Sequence, residues 1–220
     1  MSKTAIKNFH AVSLKPDTKG VFLDFDNCLY VYEPCHRSAL MSAKNEMEKI
    51  IGKSHDFFAL YTTAQDRVKR RIPKAAASHS RLLYFEAMFE LLGMGSMIEK
   101  SLFLENVYWK KFMEKMKLVS GVKKFLIDCK KKNIKIVIVS DLTAGIQFEK
   151  MMKLGMDHLV DFVVTSEEAG AEKPHKKIFQ LALKKAGLKS HEVIMIGDSL
   201  QKDVQGAQVL GIKALQIIHE

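Results

Sequence analysis

Cysteine is scarce in this chain and odd in number. Cys28, Cys35 and Cys129 fit neither a disulfide framework nor a zinc-ligand spacing, which points to reduced thiols in a cytoplasmic protein. No apolar run approaches the ~20 residues that span a bilayer, so no membrane segment is expected. The first ten residues, Met1 to His10, lack the hydrophobic centre of a signal peptide. Internal repeats, low-complexity segments and base-reading motifs of the zinc-finger or aromatic RNA-binding kind are also missing. Acidic residues are the minority, 25 against 35 Lys and Arg, leaving a formal net charge of +10. Such a balance suits anionic partners. The lysines, however, are scattered along helix-like segments, with Lys130 to Lys132 the longest run, so a solvated basic face is expected and nucleic acid is not.

What the chain does have is enough apolar material, 47%, for a substantial core in its 220 residues. It also has one stretch around which the rest is ordered, Val21-Phe22-Leu23-Asp24-Phe25-Asp26-Asn27-Cys28-Leu29-Tyr30. The apolar run reads as a buried parallel strand, led in by the turn Pro16 to Gly20. Residues i and i+2 of an extended chain point to the same side, so Asp24 and Asp26 leave the strand together while Phe25 turns away. Two carboxylates ~4 Å apart repel by roughly 4 kcal/mol at an effective dielectric of about 20. A metal ion, a lysine or a shared proton has to offset this.

Residues 1–19 form a polar lead-in, either an added strand or a flexible arm. From 33 to 117 the pattern is helical throughout. One helix is expected from Pro34 to Ile51, a second after an N-cap at Ser54, a third from Ser78 or Ser80, and a fourth from Met97 to Lys117. Then strands and helices alternate. Helices are expected over Gly121–Lys132, Ala144–Leu154, Pro174–Ala186 and Gln201–Leu210. Strands are expected over Ile134–Val139, Phe162–Thr165, Val193–Ile196 and Ala214–Ile218. This predicts an α/β fold, a Rossmann-like parallel sheet with helices on both faces, interrupted by a helical insert.

Ligands of such sheets bind beyond the carboxyl ends of the strands. There the sequence places Asp24 and Asp26, then Ser140 and Asp141, then Lys173-Pro174, then Gly197-Asp198-Ser199 with Asp203 close behind. Several carboxylates, a hydroxyl and a lysine at one edge suit phosphoryl transfer. Hard carboxylate oxygens match Mg²⁺. One carboxylate can attack phosphorus while a second moves the proton. The hydroxyl and the lysine can hold the remaining phosphate oxygens. Pro174 is expected to open a helix whose N-terminus also points near the site.

These residues resemble the haloacid dehalogenase-like hydrolase superfamily, over about residues 19–32 and 118–218. Its four motifs match Asp24-Phe25-Asp26-Asn27-Cys28, Ser140 after an apolar strand, Lys173-Pro174, and Gly197-Asp198-Ser199-Leu200-Gln201-Lys202-Asp203. The resemblance implies a Mg²⁺-dependent phosphatase. Asp24 would be the nucleophile and Asp26 the general acid/base. Ser140 and Lys173 would hold the phosphate. Asp24, the backbone carbonyl of Asp26 and Asp198 would ligate Mg²⁺, with Asp203 orienting that site. Asp26 points to ester hydrolysis, since the family's dehalogenases lack an aspartate there. Two positions depart from the pattern. Cys28 replaces the usual Thr or Val and reads as a buried filler. Asp141 stands beside the phosphate position where Asn is common, and is expected to point away, to bond substrate hydroxyls, or to weaken phosphate binding.

The insert resembles the family's mobile cap. The implied division is a lead-in at 1–19, a catalytic core at 20–32 and 118–220, and a cap at 33–117. The cap's basic residues Arg67, Lys69, Arg70, Arg71, Lys74, His79 and Arg81 read chiefly as a solvated face. Motif spacing and the segment Gln147–Gly155 are similar to the branch with nucleotide, flavin mononucleotide and acylneuraminate-9-phosphate phosphatases. The implied partner is a small phosphorylated metabolite, with a monomer as the default. A phosphomutase and a catalytically weak binding or regulatory protein on the same fold stay open beside the phosphatase.

Overall fold

A computed structural model describes residues 5–219. Its strands are β1 (Ala5–Ile6), β2 (Gly20–Leu23), β3 (Lys135–Ser140), β4 (Phe162–Thr165), β5 (Val193–Gly197) and β6 (Lys213–Ile217). Its helices are α1 (Tyr32–Ile51), α2 (Phe57–Arg71), α3 (Arg81–Leu91), α4 (Ile98–Lys115), α5 (Val122–Lys131), α6 (Ala144–Lys153), α7 (Ser166–Ala169), α8 (Lys176–Ala186) and α9 (Gly206–Gln208). The chain divides into two compact units, one holding the residues up to Tyr32 and from Lys117 onward, the other Glu33–Met116. Among the described residues no helix is long and apolar enough to cross a membrane.

In the first unit all strand pairs are parallel, in the order β1-β6-β5-β2-β3-β4. The chain leaves β2 for β3 and β4 on one side, then returns to β5 and β6 on the other. The sheet's direction of winding thus reverses at β2, and a crevice at its carboxyl end follows. Register aligns that end: Leu23 lies opposite both Ile138 and Ile196. Every residue of β2 is buried, as expected of a strand covered on both faces. Phe22, Val137, Val139 and Met195 pack with Ile178, Phe179 and Ala182 of α8. Each fully buried side chain of this kind contributes roughly 1.5–3 kcal/mol.

Several boundaries differ from the sequence reading. For the lead-in, the added strand is the option realised: the edge strand β1 pairs with β6, and Phe9 is buried against Phe125, ring centroids 5.4 Å apart. Helix α8 begins at Lys176, not Pro174, because the His175 side chain caps it by accepting from Lys177 N. The expected helix after β5 is present, beginning as a wide π-helical turn over Leu200–Gln205 and continued by the short α9.

The second unit is helical from α1 to α4. Asp56, not Ser54, caps α2, accepting from the backbone N–H groups of Phe58 and Ala59. Ser80 caps α3 through Leu83 N. Aromatic rings form its centre, with Tyr61 edge-on to Tyr84 and Tyr108 edge-on to Trp109. The buried Arg81 guanidinium lies 5.3 Å from the centroids of both Tyr108 and Trp109, a cation–π arrangement. Arg81 is therefore not part of a solvated face. Burial, and then Arg81, pushes His36 down to about 4. Its Nδ1 lies 2.6 Å from the Tyr108 hydroxyl.

Candidate active site

The end of β2 is held from both sides. Asp24 N donates to Ile196 O of β5 at 2.9 Å. Asp24 is buried, and its Oδ1 accepts from Lys173 Nζ at 2.6 Å. That ammonium, also buried, lies 2.7 Å from Asp203 Oδ1 and donates to Val139 O at 3.0 Å. Asp24, Asp198 and Asp203 each offer an oxygen, all within 4.8 Å of one another. Were all three ionised, they would exceed the single Lys173 ammonium by two negative charges. The Asp24 carboxyl is pushed well above the ordinary carboxylate range, first by burial and then by Asp203 and Asp198, against the pull of Lys173. Burial works against the charge on Lys173, but Asp203, Asp24 and Asp141 outweigh it and hold its pKa well above the usual value. This oxygen-only set with up to two uncompensated charges fits a hard divalent cation.

Local sequence explains why these groups meet. A Cβ on Gly197 would stand 2.3 Å from Asp203 Cγ, so only glycine lets the Asp203 carboxylate lie against β5. Ser199 N donates to Asp203 Oδ2 at 3.0 Å, and the wide turn brings both residues to one side. Asn27 sits in the left-handed region, φ 62°, which asparagine tolerates. From there its Nδ2 donates to Asp198 Oδ2 at 2.8 Å and its Oδ1 accepts from Tyr32 N.

Asp26 has a different environment. Its Oδ1 accepts from the Tyr30 hydroxyl and from Lys150 Nζ at 2.7 Å. Its Oδ2 accepts from Gln147 Nε2 at 2.7 Å. The same amide donates to Ser140 Oγ at 2.6 Å. Gln147 and Lys150 are completely buried. Burial alone would raise the Asp26 pKa, but the Lys150 charge and the donors Lys150, Tyr30 and Gln147 outweigh it and hold it below the usual value.

Asp141 is tied down on both oxygens. Oδ1 accepts from Lys173 N and Oδ2 from Lys202 Nζ, each at 2.9 Å. Of the three outcomes expected for this carboxylate, the structure has it turned into the loop before Pro174, where it fixes the backbone of Lys173. The next residue, Leu142, has φ 152°, a strained value for a leucine, held by Ser166 Oγ accepting from its N–H. Cys28 is buried with its thiol 3.7 Å from Ile196 O. Burial and then Asp24 push that thiol well up, so it packs as a small apolar group.

The structure thus brings Asp24, Lys173, Asp198 and Asp203 into one cluster, links Asp26 to Ser140 through Gln147, and turns Asp141 onto the Lys173 loop. Lys150, Gln147, Tyr30, Asn27 and Lys202 were not singled out as site residues from the sequence. One signal was present: Gln147 and Lys150, spaced i and i+3, share a helix face with Met151, which is buried.

A family model described as haloacid dehalogenase-like hydrolase matches residues 22–217. A ribulose-1,5-bisphosphate 5-phosphatase of Halopiger xanaduensis is 35% identical over 198 residues, 89% of this chain and 83% of that protein. A glyceraldehyde 3-phosphate phosphatase of Methanopyrus kandleri is 29% identical over 203 residues, 90% of this chain and 83% of that protein. Among solved structures, the Bacillus subtilis hydrolase YfnB, described as bound to magnesium, superposes with a TM-score of 0.68 at 20% identity, covering 90% of this chain and 87% of that one. At that identity the superposition speaks for the fold alone.

Proposed function

This chain belongs to the haloacid dehalogenase-like hydrolases and acts on phosphate monoesters; from that premise we propose that it hydrolyses a small sugar phosphate through a phosphorylated Asp24. The observation that carries the proposal is the Asp24 carboxylate, 2.6 Å from the buried Lys173 ammonium and within one cluster with Asp198 and Asp203. The sugar class is favoured because the two wide-coverage relatives are named for a ribulose bisphosphate and a glyceraldehyde phosphate. The sugar class lies within the wider range of nucleotide, flavin and sugar phosphates that the motifs allow.

Asp24, Asp198 and the Asp26 carbonyl would hold Mg²⁺, with Asp203 set by Gly197 and Ser199 beside them. Bound there, Mg²⁺ would offset the excess negative charge and stabilise the charge developing on the phosphoryl oxygens. Lys173 and Ser140 bind phosphate oxygens. An Asp24 oxygen forms a bond to phosphorus as the ester P–O bond breaks, and the departing oxygen takes a proton from the protonated form of Asp26, the minor form in the ligand-free site. Water then gives a proton to Asp26 and attacks phosphorus. The Asp24–phosphorus bond breaks, and inorganic phosphate leaves with Asp24 regenerated. The helical unit, residues 33–116, would act as the substrate-selecting cap.

The test is turnover of p-nitrophenyl phosphate with and without Mg²⁺, beside Asp24→Asn, followed by a panel of three- to five-carbon sugar phosphates. Mg²⁺-dependent turnover abolished by Asp24→Asn is expected, with the highest kcat/KM on a sugar phosphate. Turnover in Asp24→Asn equal to wild type would sink the proposal.

A further inference from the structure

Asp24 and Asp26 are two residues apart, yet each has its own buried lysine. Lys173 serves the acidic cluster of Asp24 and Asp203. The Lys150 ammonium lies 2.7 Å from Asp26 Oδ1. A lysine required only to lessen negative charge would be expected beside the three-carboxylate group. Lys150 instead completes a set of directed donors. Lys150 and Tyr30 reach one Asp26 oxygen and Gln147 reaches the other. With both oxygens engaged from different directions, the carboxyl group cannot rotate without losing a bond to a buried donor.

The donors are themselves fixed. Gln147 and Lys150 lie on one face of α6, whose first free N–H, at Ala144, donates to Glu167 Oε2 at 2.7 Å. Tyr30 is fully buried and edge-on to Phe25, ring centroids 5.5 Å apart, so the backbone flanking Asp26 is clamped as well. Gln147 couples this clamp to Ser140, the hydroxyl at the end of β3.

We infer that Lys150, with Gln147, is a positioning residue that sets the orientation of the Asp26 carboxyl for proton transfer and does not bind phosphate. This rests on the reading of Asp24 as nucleophile and Asp26 as acid/base. Misplacing a proton donor hurts a poor leaving group far more than a good one, whereas losing a phosphate contact hurts both alike. Phenyl phosphate and p-nitrophenyl phosphate differ little in size, and the phenolate of the first is much the stronger base.

The experiment measures kcat/KM for both esters in wild type, Lys150→Gln, Lys150→Arg, Gln147→Leu and Asp24→Asn, with thermal unfolding of each. Lys150→Gln is expected to lose about tenfold more on phenyl phosphate than on p-nitrophenyl phosphate, a fraction of the ~10²–10⁴ that general acid–base catalysis supplies. KM for p-nitrophenyl phosphate should stay within about twofold, and Lys150→Arg should recover most of the ratio between the esters. Equal losses on the two esters, or no loss, overturn the inference while Asp24→Asn is inactive. Turnover surviving in Asp24→Asn overturns the underlying reading instead. Should Lys150→Gln fail to fold, the ratio in Gln147→Leu decides: unchanged from wild type, the inference falls.

Discussion

Asp24 and Asp26 make a natural comparison. Both are carboxylates at the end of one strand, Asp24 buried and Asp26 half-buried, with a buried ammonium at 2.6 and 2.7 Å respectively. They shift in opposite directions, Asp24 up and Asp26 down. The lysines therefore do not account for the difference. Around Asp24 the other neighbours are the anions Asp203 and Asp198; around Asp26 they are the neutral donors Tyr30 and Gln147. A buried ion pair fixes a carboxylate's charge only when nothing else of the same sign crowds it. The crowded member needs a further cation, and the uncrowded one is already satisfied within the protein. In the proposed reaction the first is where phosphate and metal arrive, and the second handles the proton.

The largest effect is expected from Asp24→Asn, which removes the oxygen proposed to attack phosphorus. Turnover is expected to fall by at least about 10³-fold, measured as kcat on p-nitrophenyl phosphate. Next is Gly197→Ala. Its methyl would collide with the Asp203 carboxylate, so the apparent Mg²⁺ requirement should rise about 10–100-fold, read from activity titrated against Mg²⁺. An unchanged titration would mean that Asp203 has no part in setting the cation site.

The comparison extends to the helical unit, where His36 has Arg81 for a charged neighbour. The folded pKa, about 4, lies below the ordinary 6.5. The unfolded chain therefore binds the proton first. Folding stability should be complete above about pH 6.5 and fall as the pH drops toward 4, by on the order of 2 kcal/mol once partial exposure is allowed for. Urea unfolding of wild type and His36→Gln at pH 7 and 4.5 checks this, and the variant should lose less. The smallest effect belongs to Lys202→Met. The Lys202–Asp141 bridge is half exposed on the lysine side, so stability should change by about 1 kcal/mol or less and kcat/KM by less than about tenfold.

The strand-end residues were legible because their chemistry is local. A strand of period two ending in an aspartate announces both the sheet and the direction its carboxylate takes. Parallel register then brings the ends of β2, β3 and β5, and with them Asp24, Ser140 and Asp198, to one edge, which Lys173 reaches from the loop after α7. Lys150 and Gln147 were not legible in the same way, since a polar pair on a helix ordinarily faces water. Their burial follows from where α6 packs, which is a tertiary fact. The start of α8 was misplaced because proline commonly opens a helix, whereas here the His175 cap two residues before Lys177 prevails. Arg81 was misread as solvated because nothing in its local sequence shows that Tyr84, Tyr108 and Trp109 enclose it.

In the proposed reaction the crowded carboxylate attacks and its neighbour moves the proton. The most direct measurement is acid quenching of Asp26→Asn mixed with p-nitrophenyl phosphate and Mg²⁺, followed by peptide mass spectrometry. Impaired attack of water should let the intermediate accumulate, with one phosphoryl group expected on Asp24, within Val21–Tyr30. A phosphoryl group on any other residue, or none while p-nitrophenol is still released, would contradict it.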